Sequence, residues 1–309
     1  MRTARDLWCT GVLLVLAVSL GATSLGTRVV DAQTPQTAPA APLNIIAFGA
    51  HPDDCDIRAG GVAAKWAAAG HHVRFVAVTN GDAGHQAQGG GALATRRRAE
   101  AQEAGRRVGV DYVVLDNHDG ELLPDLRVRE QIIRQIRLWK ADLVLAPRPN
   151  DYHPDHRYTG VLLQDAAFMV TVPNVASDTP ALRKNPVFMY FEDGFKKPAP
   201  FTPDVAVSID ETFEKKIDML DAHVSQVYEW LPWLAGRLEQ VPADKVARRQ
   251  WLTKERTAPI SPAVREALAK YYGAEAAAKV QHAEAFEICE YGRQPDAADV
   301  RRLFPFFAK

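Results

Sequence analysis

Cysteine is nearly absent from this 309-residue sequence, which holds three. Cys9 precedes the first apolar run, so only Cys55 and Cys289 fall in the part that reads as folded. Two cysteines cannot build a disulfide scaffold. One bridge is compatible with an exported chain, but two unpaired buried thiols are the simpler expectation. An excess of either charge is also missing, since 37 Lys and Arg face 38 Asp and Glu. No basic field exists to attract nucleic acid or an anionic lipid surface, and neither partner is favoured. No apolar run reaches the ~20 residues needed to span a bilayer, and no internal period is visible. Gly89-Gly90-Gly91 lies outside any GxGxxG or GxxxxGK[ST] frame and reads as a mobile loop rather than a phosphate cradle.

What is present begins with an export pattern. Arg2 and Arg5 precede an apolar run over 13–20, small residues follow, and Val30-Asp31-Ala32 is an acceptable cleavage site. Residues 1–32 therefore read as a signal peptide, giving a periplasmic or extracellular protein with no stable membrane insertion once the signal is removed; a retained anchor is the weaker alternative. Residues 33–42 are Pro, Thr, Ala and Gln, too poor in large apolar side chains to pack, and read as a disordered tether. The folded domain is then 43–309, and the overall 47% hydrophobic content suits one large α/β domain.

From Asn44 onward, short β-rich runs alternate with helix-length amphipathic segments. Strands are expected over 45–48, 73–78, 112–115 and 142–146, with helices over 60–69, 94–108, 128–139 and 156–169. Apolar strands alternating with helices imply a parallel sheet covered on both faces, hence a Rossmann-like three-layer sandwich with a mostly parallel sheet. Past Pro173 the rhythm changes. Strands are expected over 187–191 and 205–209, a helix over 211–231, and then a mainly helical carboxyl-terminal part in which Ser261-Pro262 opens a helix as N-cap and first-turn proline.

Two clusters carry chemistry. Ala50-His51-Pro52-Asp53-Asp54 follows the first strand directly, where an open parallel sheet binds its ligands. An imidazole and a carboxylate three residues apart on a turn can reach one divalent ion, and the adjacent carboxylate can touch a water on it. His51 alone would more often be a solvated turn residue. The second cluster, Asp151-Tyr152-His153-Pro154-Asp155-His156, follows the fourth strand. Acids and histidines converging on one crevice would repel one another and lose solvation, a cost of several kcal/mol that a cation offsets.

The Ala50–Asp54 segment, Gly60-Gly61, Arg97 with Glu100, and the His153–His156 segment together resemble the PIG-L or LmbE-like family of zinc-dependent de-N-acetylases, over about residues 44–226. The resemblance implies a Rossmann-like fold and one catalytic Zn2+ held by His51, Asp54 and His156. It implies Asp53 as general base, His153 as electrophilic histidine, and Asp155 as the acid that orients His153 and keeps it protonated. Three protein ligands leave an open position, as in catalytic rather than structural zinc sites; the donor set also accommodates Fe2+. Cys55 beside Asp54 is discounted as a ligand, because consecutive turn residues rarely all face inward.

Three further residues are assigned to substrate binding. Arg97 matches a substrate-side position of the family, and its planar fork can grip phosphate or sugar hydroxyls; otherwise the Arg96–Arg98 run is a solvated helix start. Asp119 matches an acid after the third strand, or else is a turn residue beside Gly120. His223 lies in a run, Ala222 to Gln226, that resembles a helix near the family's carboxyl-terminal part. The substrate expected is a small molecule or glycan bearing an N-acetyl amino sugar. Alternatives are the same metal chemistry on another amide or ester, or a non-catalytic glycan- or nucleotide-binding module, which would need neither Asp53 nor His153. No feature of the sequence fixes the oligomeric state.

Overall fold

In chain order the elements are β1 (Asn44–Gly49), α1 (Asp54–Ala68), β2 (His72–Ala77), α2 (Gly90–Val108), β3 (Asp111–Val114), α3 (Leu126–Trp139), β4 (Leu143–Ala146) and α4 (Pro154–Met169). There follow β5 (Val187–Phe191), β6 (Val205–Ser208), α5 (Phe213–Ala222), a π-helical segment (Ser225–Trp230), α6 (Leu231–Leu234), α7 (Lys245–Arg256), α8 (Pro262–Tyr272), α9 (Ala274–Lys279), β7 (Ala283–Gly292) and α10 (Ala297–Leu303). This computed structural model describes residues 41–307; the expected signal peptide, and the tether as far as residue 40, lie outside the described residues. Among the described residues no helix is long and apolar enough to cross a membrane.

The seven strands lie in the order β3-β2-β1-β4-β5-β7-β6. The first five run parallel, with Ile45 beside both Val73 and Leu143. Strand side chains alternate between faces, and both faces here are apolar. Ile45, Ala47, Phe75 and Leu145 pack with Trp66 of α1, Ala101 of α2 and Leu220 of α5. Ile46, Phe48, Val76 and Val144 pack with Ile132 and Ile136 of α3 and Leu162 and Leu163 of α4. Each Val, Leu, Ile or Phe side chain among these taken from water contributes ~1.5 to 3 kcal/mol. The result is the α/β sandwich with a mostly parallel sheet that the alternation implies.

The carboxyl-terminal part differs from its expected helical character, because β7 pairs antiparallel with both β5 and β6 and fills the gap between them. Glu284, Glu287 and Glu290 recur at helical spacing after an alanine-rich helix, which conceals the strand. Glu284 is nevertheless buried, accepting from the backbone N–H groups of Gly61 and Val62 at 2.9 and 2.7 Å and from Lys216 Nζ at 2.8 Å. Gly61 is needed at that contact: a Cβ there would meet Ile209 side-chain atoms at 2.7 to 2.9 Å. Ser261 caps α8 as expected, accepting from Val264 N at 3.3 Å.

Strand order reverses between β1 and β4, the switch point at which a doubly wound sheet opens a crevice beyond its carboxyl ends. The chain leaves β1 into His51–Asp53 and β4 into the loop that precedes α4. Gly160 lets α4 approach that loop, since a Cβ would stand 2.8 Å from the backbone of Arg148 and Pro149. Both histidine-bearing segments are therefore carried by the two strands that flank the crevice.

Candidate metal centre at the carboxyl ends of β1 and β4

The first cluster is a turn that tightens straight into a helix. Asp53 N–H donates to His51 C=O at 2.9 Å, and α1 begins at Asp54, six residues earlier than the sequence pattern suggests. Asp54 thus occupies the first helical turn, and its Oδ2 accepts from the His51 backbone N–H at 2.8 Å. Its carboxyl lies far below the usual range: burial works against this, but His156 and His51 outweigh it. In the second cluster His153 is the N-cap of α4, with Pro154 in the first turn, and its Nδ1 accepts from Asp155 N–H at 3.2 Å.

Three atoms from these segments form a nearly equilateral triangle. His51 Nδ1 is 3.2 Å from His156 Nε2 and 3.6 Å from Asp54 Oδ2, and the latter two are 3.4 Å apart. A tetrahedral ion with bonds of about 2.0 to 2.2 Å sets neighbouring ligand atoms about 3.3 to 3.6 Å apart. The residues present fit such an ion.

Each imidazole is aimed by a carboxylate on its other nitrogen. His156 Nδ1 lies 3.1 Å from Asp151 Oδ1, which also accepts from His153 N–H at 3.0 Å. His51 Nε2 lies 3.0 Å from Asp119 Oδ1 and 3.3 Å from Asp155 Oδ2. Such partners fix the tautomer and raise ligand basicity in metal sites. Two other groupings could hold an ion, His51 with His153 and His156, and His51 with Asp119 and Asp155. The second is already satisfied, because Asp155 accepts from Gly120 and Leu122 N–H at 2.7 and 3.3 Å while Arg97 faces Asp119. The first lacks an anionic ligand, leaving His51, Asp54 and His156 as the best-matched set.

Electrostatics in the metal-free cluster agree. Burial opposes a charge on His51 more than any other effect, yet Asp119, Asp155 and Asp54 together hold its pKa well above the usual value. His156 is also raised, burial being outweighed by Asp54 and Asp151. Asp119 is drawn down to about 2 in spite of burial, mainly by His51. Acids outnumber the cations that balance them here, so the crevice holds protons unless another cation takes their place.

Several expected roles change. Asp155 does not orient His153 through its side chain; its carboxylate serves Gly120, Leu122 and His51. Burial first, then the neighbouring His51 and His156, push the His153 pKa down. With Nδ1 accepting a backbone N–H, neutral His153 carries its proton on Nε2. Arg97, expected on the substrate side, is 2% exposed and donates to Asp53 Oδ1 and Gly81 C=O, both at 3.2 Å. It stands beneath Asp53 as a brace. Asp119 does line the crevice, but as the partner of His51. His223 is fully buried behind α1, with Nε2 3.2 Å from Asp56 Oδ1 and not aligned as a hydrogen bond, while Tyr112 OH donates to Asp56 Oδ2 at 2.9 Å. It does not face the crevice.

Asp53 remains beside Asp54, 5% exposed. Cys55 and Cys289 are both buried and unpaired, in different layers of the core. Sequence reasoning gave no role to Asp151, whose only signal was its place two residues before His153. It missed Glu100's role too: Glu100 accepts from Ser225 N–H at 3.0 Å and Oγ–H at 2.6 Å, tying the carboxyl-terminal part to α2.

The family described as PIG-L, GlcNAc-PI de-N-acetylase, matches residues 46–167, a span that contains both clusters. A diacetylchitobiose deacetylase from Thermococcus kodakarensis is 30% identical over 207 residues, 62% of this chain and 74% of its own. The solved N,N'-diacetylchitobiose deacetylase from Pyrococcus horikoshii, in complex with its inhibitor MPG, superposes with a TM-score of 0.58 at 25% identity, covering 79% of this chain and 83% of that one. The 4-carboxy-2-hydroxymuconate hydratase GalB of Pseudomonas putida KT2440 matches equally well in fold, TM-score 0.58, at 19% identity over 82% and 98% of the two chains. The sandwich by itself therefore leaves the reaction open.

Proposed function

Because this chain belongs to the PIG-L, LmbE-like family of de-N-acetylases, hydrolases of amide bonds, we propose that it removes the acetyl group from an N-acetylglucosaminyl conjugate or glycan using a resident Zn2+. The observation that carries this reading is the His51–Asp54–His156 triangle with edges of 3.2 to 3.6 Å, each histidine backed by a carboxylate. The activity of the two chitobiose deacetylases supports the substrate class.

Those three residues would hold a Zn2+, which would supply Lewis acidity and lower the pKa of a water to about 7. Asp53 takes the proton from the attacking water, its carboxylate fixed by Arg97 Nη2 at 3.2 Å. His153, whose Nδ1 accepts from Asp155 N–H, donates from Nε2–H to the acyl oxygen as charge develops, an interaction worth ~3 kcal/mol. The leaving amine takes its proton from Asp53 or from His153. Fe2+ suits the same N and O donors.

Export remains part of the reading, supported by the pattern of Arg2, Arg5 and the apolar run over 13–20; the mass of the secreted protein should correspond to a start near Gln33. The decisive experiment is metal analysis of the purified protein together with acetate release over a panel of N-acetylated sugars. Stoichiometric zinc and release from N-acetylglucosaminyl compounds are expected. Absence of metal, with no release after zinc is added, sinks the proposal.

A further inference from the structure

The end of the sheet opposite the metal centre holds a cavity of about 520 Å³, bounded by the carboxyl end of α3, the approach to β4 and the 179–186 segment that leads into β5. That volume is typical of small-molecule sites, which run from ~300 to 1,000 Å³. Leu138, Pro180, Leu182 and Pro186 give it an apolar lining, and Leu138 is 62% exposed, a large side chain that no described residue covers.

Charge on these walls is one-sided. Arg137, Lys140, Arg183, Lys184 and Arg293 line the cavity with a single acid, Asp142, in a protein whose charges otherwise balance. Asp142 is already engaged, its Oδ2 accepting from Asn44 N–H at 3.1 Å and its Oδ1 facing Arg302 at 3.5 Å, and Arg293 pairs with Asp299. Among the described residues Lys140, Arg183 and Lys184 meet no carboxylate. Arg137 is the sharper case, because it is 2% exposed and its partners are all carbonyls at and beyond the end of α4. A helix carboxyl terminus carries about half an elementary negative charge, which only partly offsets a full buried cation.

Backbone strain gathers at the same end. Lys140 (φ 50°) and Ala176 (φ 43°) are the only non-glycine residues with positive φ among those described. Lys140 ends α3 in the left-handed position that glycine usually fills, and it lines the cavity from there; Ala176 presents its carbonyl to Arg137 at 3.0 Å. Such conformations persist where the surroundings over-determine them, and they cluster at ligand sites.

An apolar lining alone would admit any greasy molecule, and cations alone would admit inorganic phosphate. Together they select a molecule with both properties. We propose that this cavity is a binding site for a small amphipathic anion, an acyl or aromatic body carrying a carboxylate, sulfonate or phosphate head, with Leu138 and Leu182 against the body and Lys140, Arg183 and Lys184 around the head. It shares no residue with the metal centre and does not depend on the reaction assigned there.

The test is a fluorescence titration of the purified protein with anilinonaphthalene sulfonate, followed by displacement with decanoate, decyl phosphate, decanol or inorganic phosphate. Saturable binding is expected, reversed by decanoate and decyl phosphate but by neither decanol nor inorganic phosphate. Reversing two rim charges, Arg183→Glu with Lys184→Glu, should weaken binding about tenfold. Leu138→Ser should weaken it severalfold, by removing apolar contact without a change of charge. Lys215→Glu with Lys245→Glu, the same change of charge at exposed positions away from the cavity, should leave it unchanged. No saturable binding, displacement by decanol or inorganic phosphate as effective as by decyl phosphate, or equal weakening by the two charge-reversed pairs overturns the site. Binding confined to phosphatidylglycerol vesicles, with no soluble probe bound, overturns it as well, because a lipid surface rather than the cavity would then be recognised.

Discussion

The two ends of the sheet each hold a buried arginine, and the two are held in opposite ways. At the carboxyl ends Arg97 lies between the carboxylates of Asp53 and Asp119, in a cluster where acids face histidines. At the amino ends Arg137 donates to the carbonyls of Met169, Val170, Val172, Val175, Ala176 and Thr179 at 2.6 to 3.0 Å, closing the carboxyl terminus of α4 against α3. A cavity of about 520 Å³ opens at that second end, lined by Leu138, Pro180, Leu182 and Asn185 among others, with no histidine on its walls. Neither a buried charge nor a cavity locates chemistry. What distinguishes the first end is convergence of several titratable groups whose charges a bound cation would balance.

That contrast can be broken most directly at Asp53. Asp53→Asn should lower acetate release about a thousandfold, the scale of a general base, while zinc content by mass spectrometry stays stoichiometric. Retained activity would remove the reason for separating the two ends. At the other end, Arg137→Ala should lower unfolding free energy by about 3 kcal/mol in urea titrations, because several buried carbonyls lose their donors, with zinc content and specific activity of the folded fraction unaffected. A change in metal content there would mean that the two ends are coupled.

Asp151→Asn sharpens the comparison within the cluster. The amide can still bond His156, but it no longer supports the ring with charge, and zinc affinity in a chelator competition should fall about 10- to 100-fold. The smallest effect concerns pH. His51 and His156 have folded pKa values raised above the unfolded ~6.5. Their contribution to the metal-free protein is fully present below that value and lost as pH rises through the raised ones. Melting temperature of the metal-free protein should therefore fall as pH rises above about 6.5, zinc should reverse the fall, and zinc affinity should rise over the same range. A metal-free protein that gains stability with pH would contradict the charge balance described for the crevice.

Much of this was legible in the sequence because it is local. The alternation of apolar strands with amphipathic helices, the Ser261 cap and the position of both histidine clusters after strands depend on residues close in the chain. Three things were not. The first helix begins at Asp54, since the turn at His51 runs straight into it. β7 carries glutamates at helical spacing, one of them buried by contacts with Gly61, Val62 and Lys216, more than sixty residues away. The break at His223, followed by a π-helical segment, answers to anchors on Glu100 and Gly84 that no window around residue 223 contains.

The sequence by itself determined which side chains meet, because both clusters sit at carboxyl ends of strands that a parallel α/β sheet must bring to one edge. Only the tertiary structure decided what each one does there. Which nitrogen of His51 turns to His156 and Asp54 depends on Asp119 and Asp155 behind it. Arg97 and His223, both expected toward substrate, are drawn inward to Asp53 and Asp56, and Asp155 serves Gly120 and Leu122 in place of His153. A buried charge goes to the partner that best replaces water, and that partner is set by how the crossovers stack, across separations that sequence spacing does not encode.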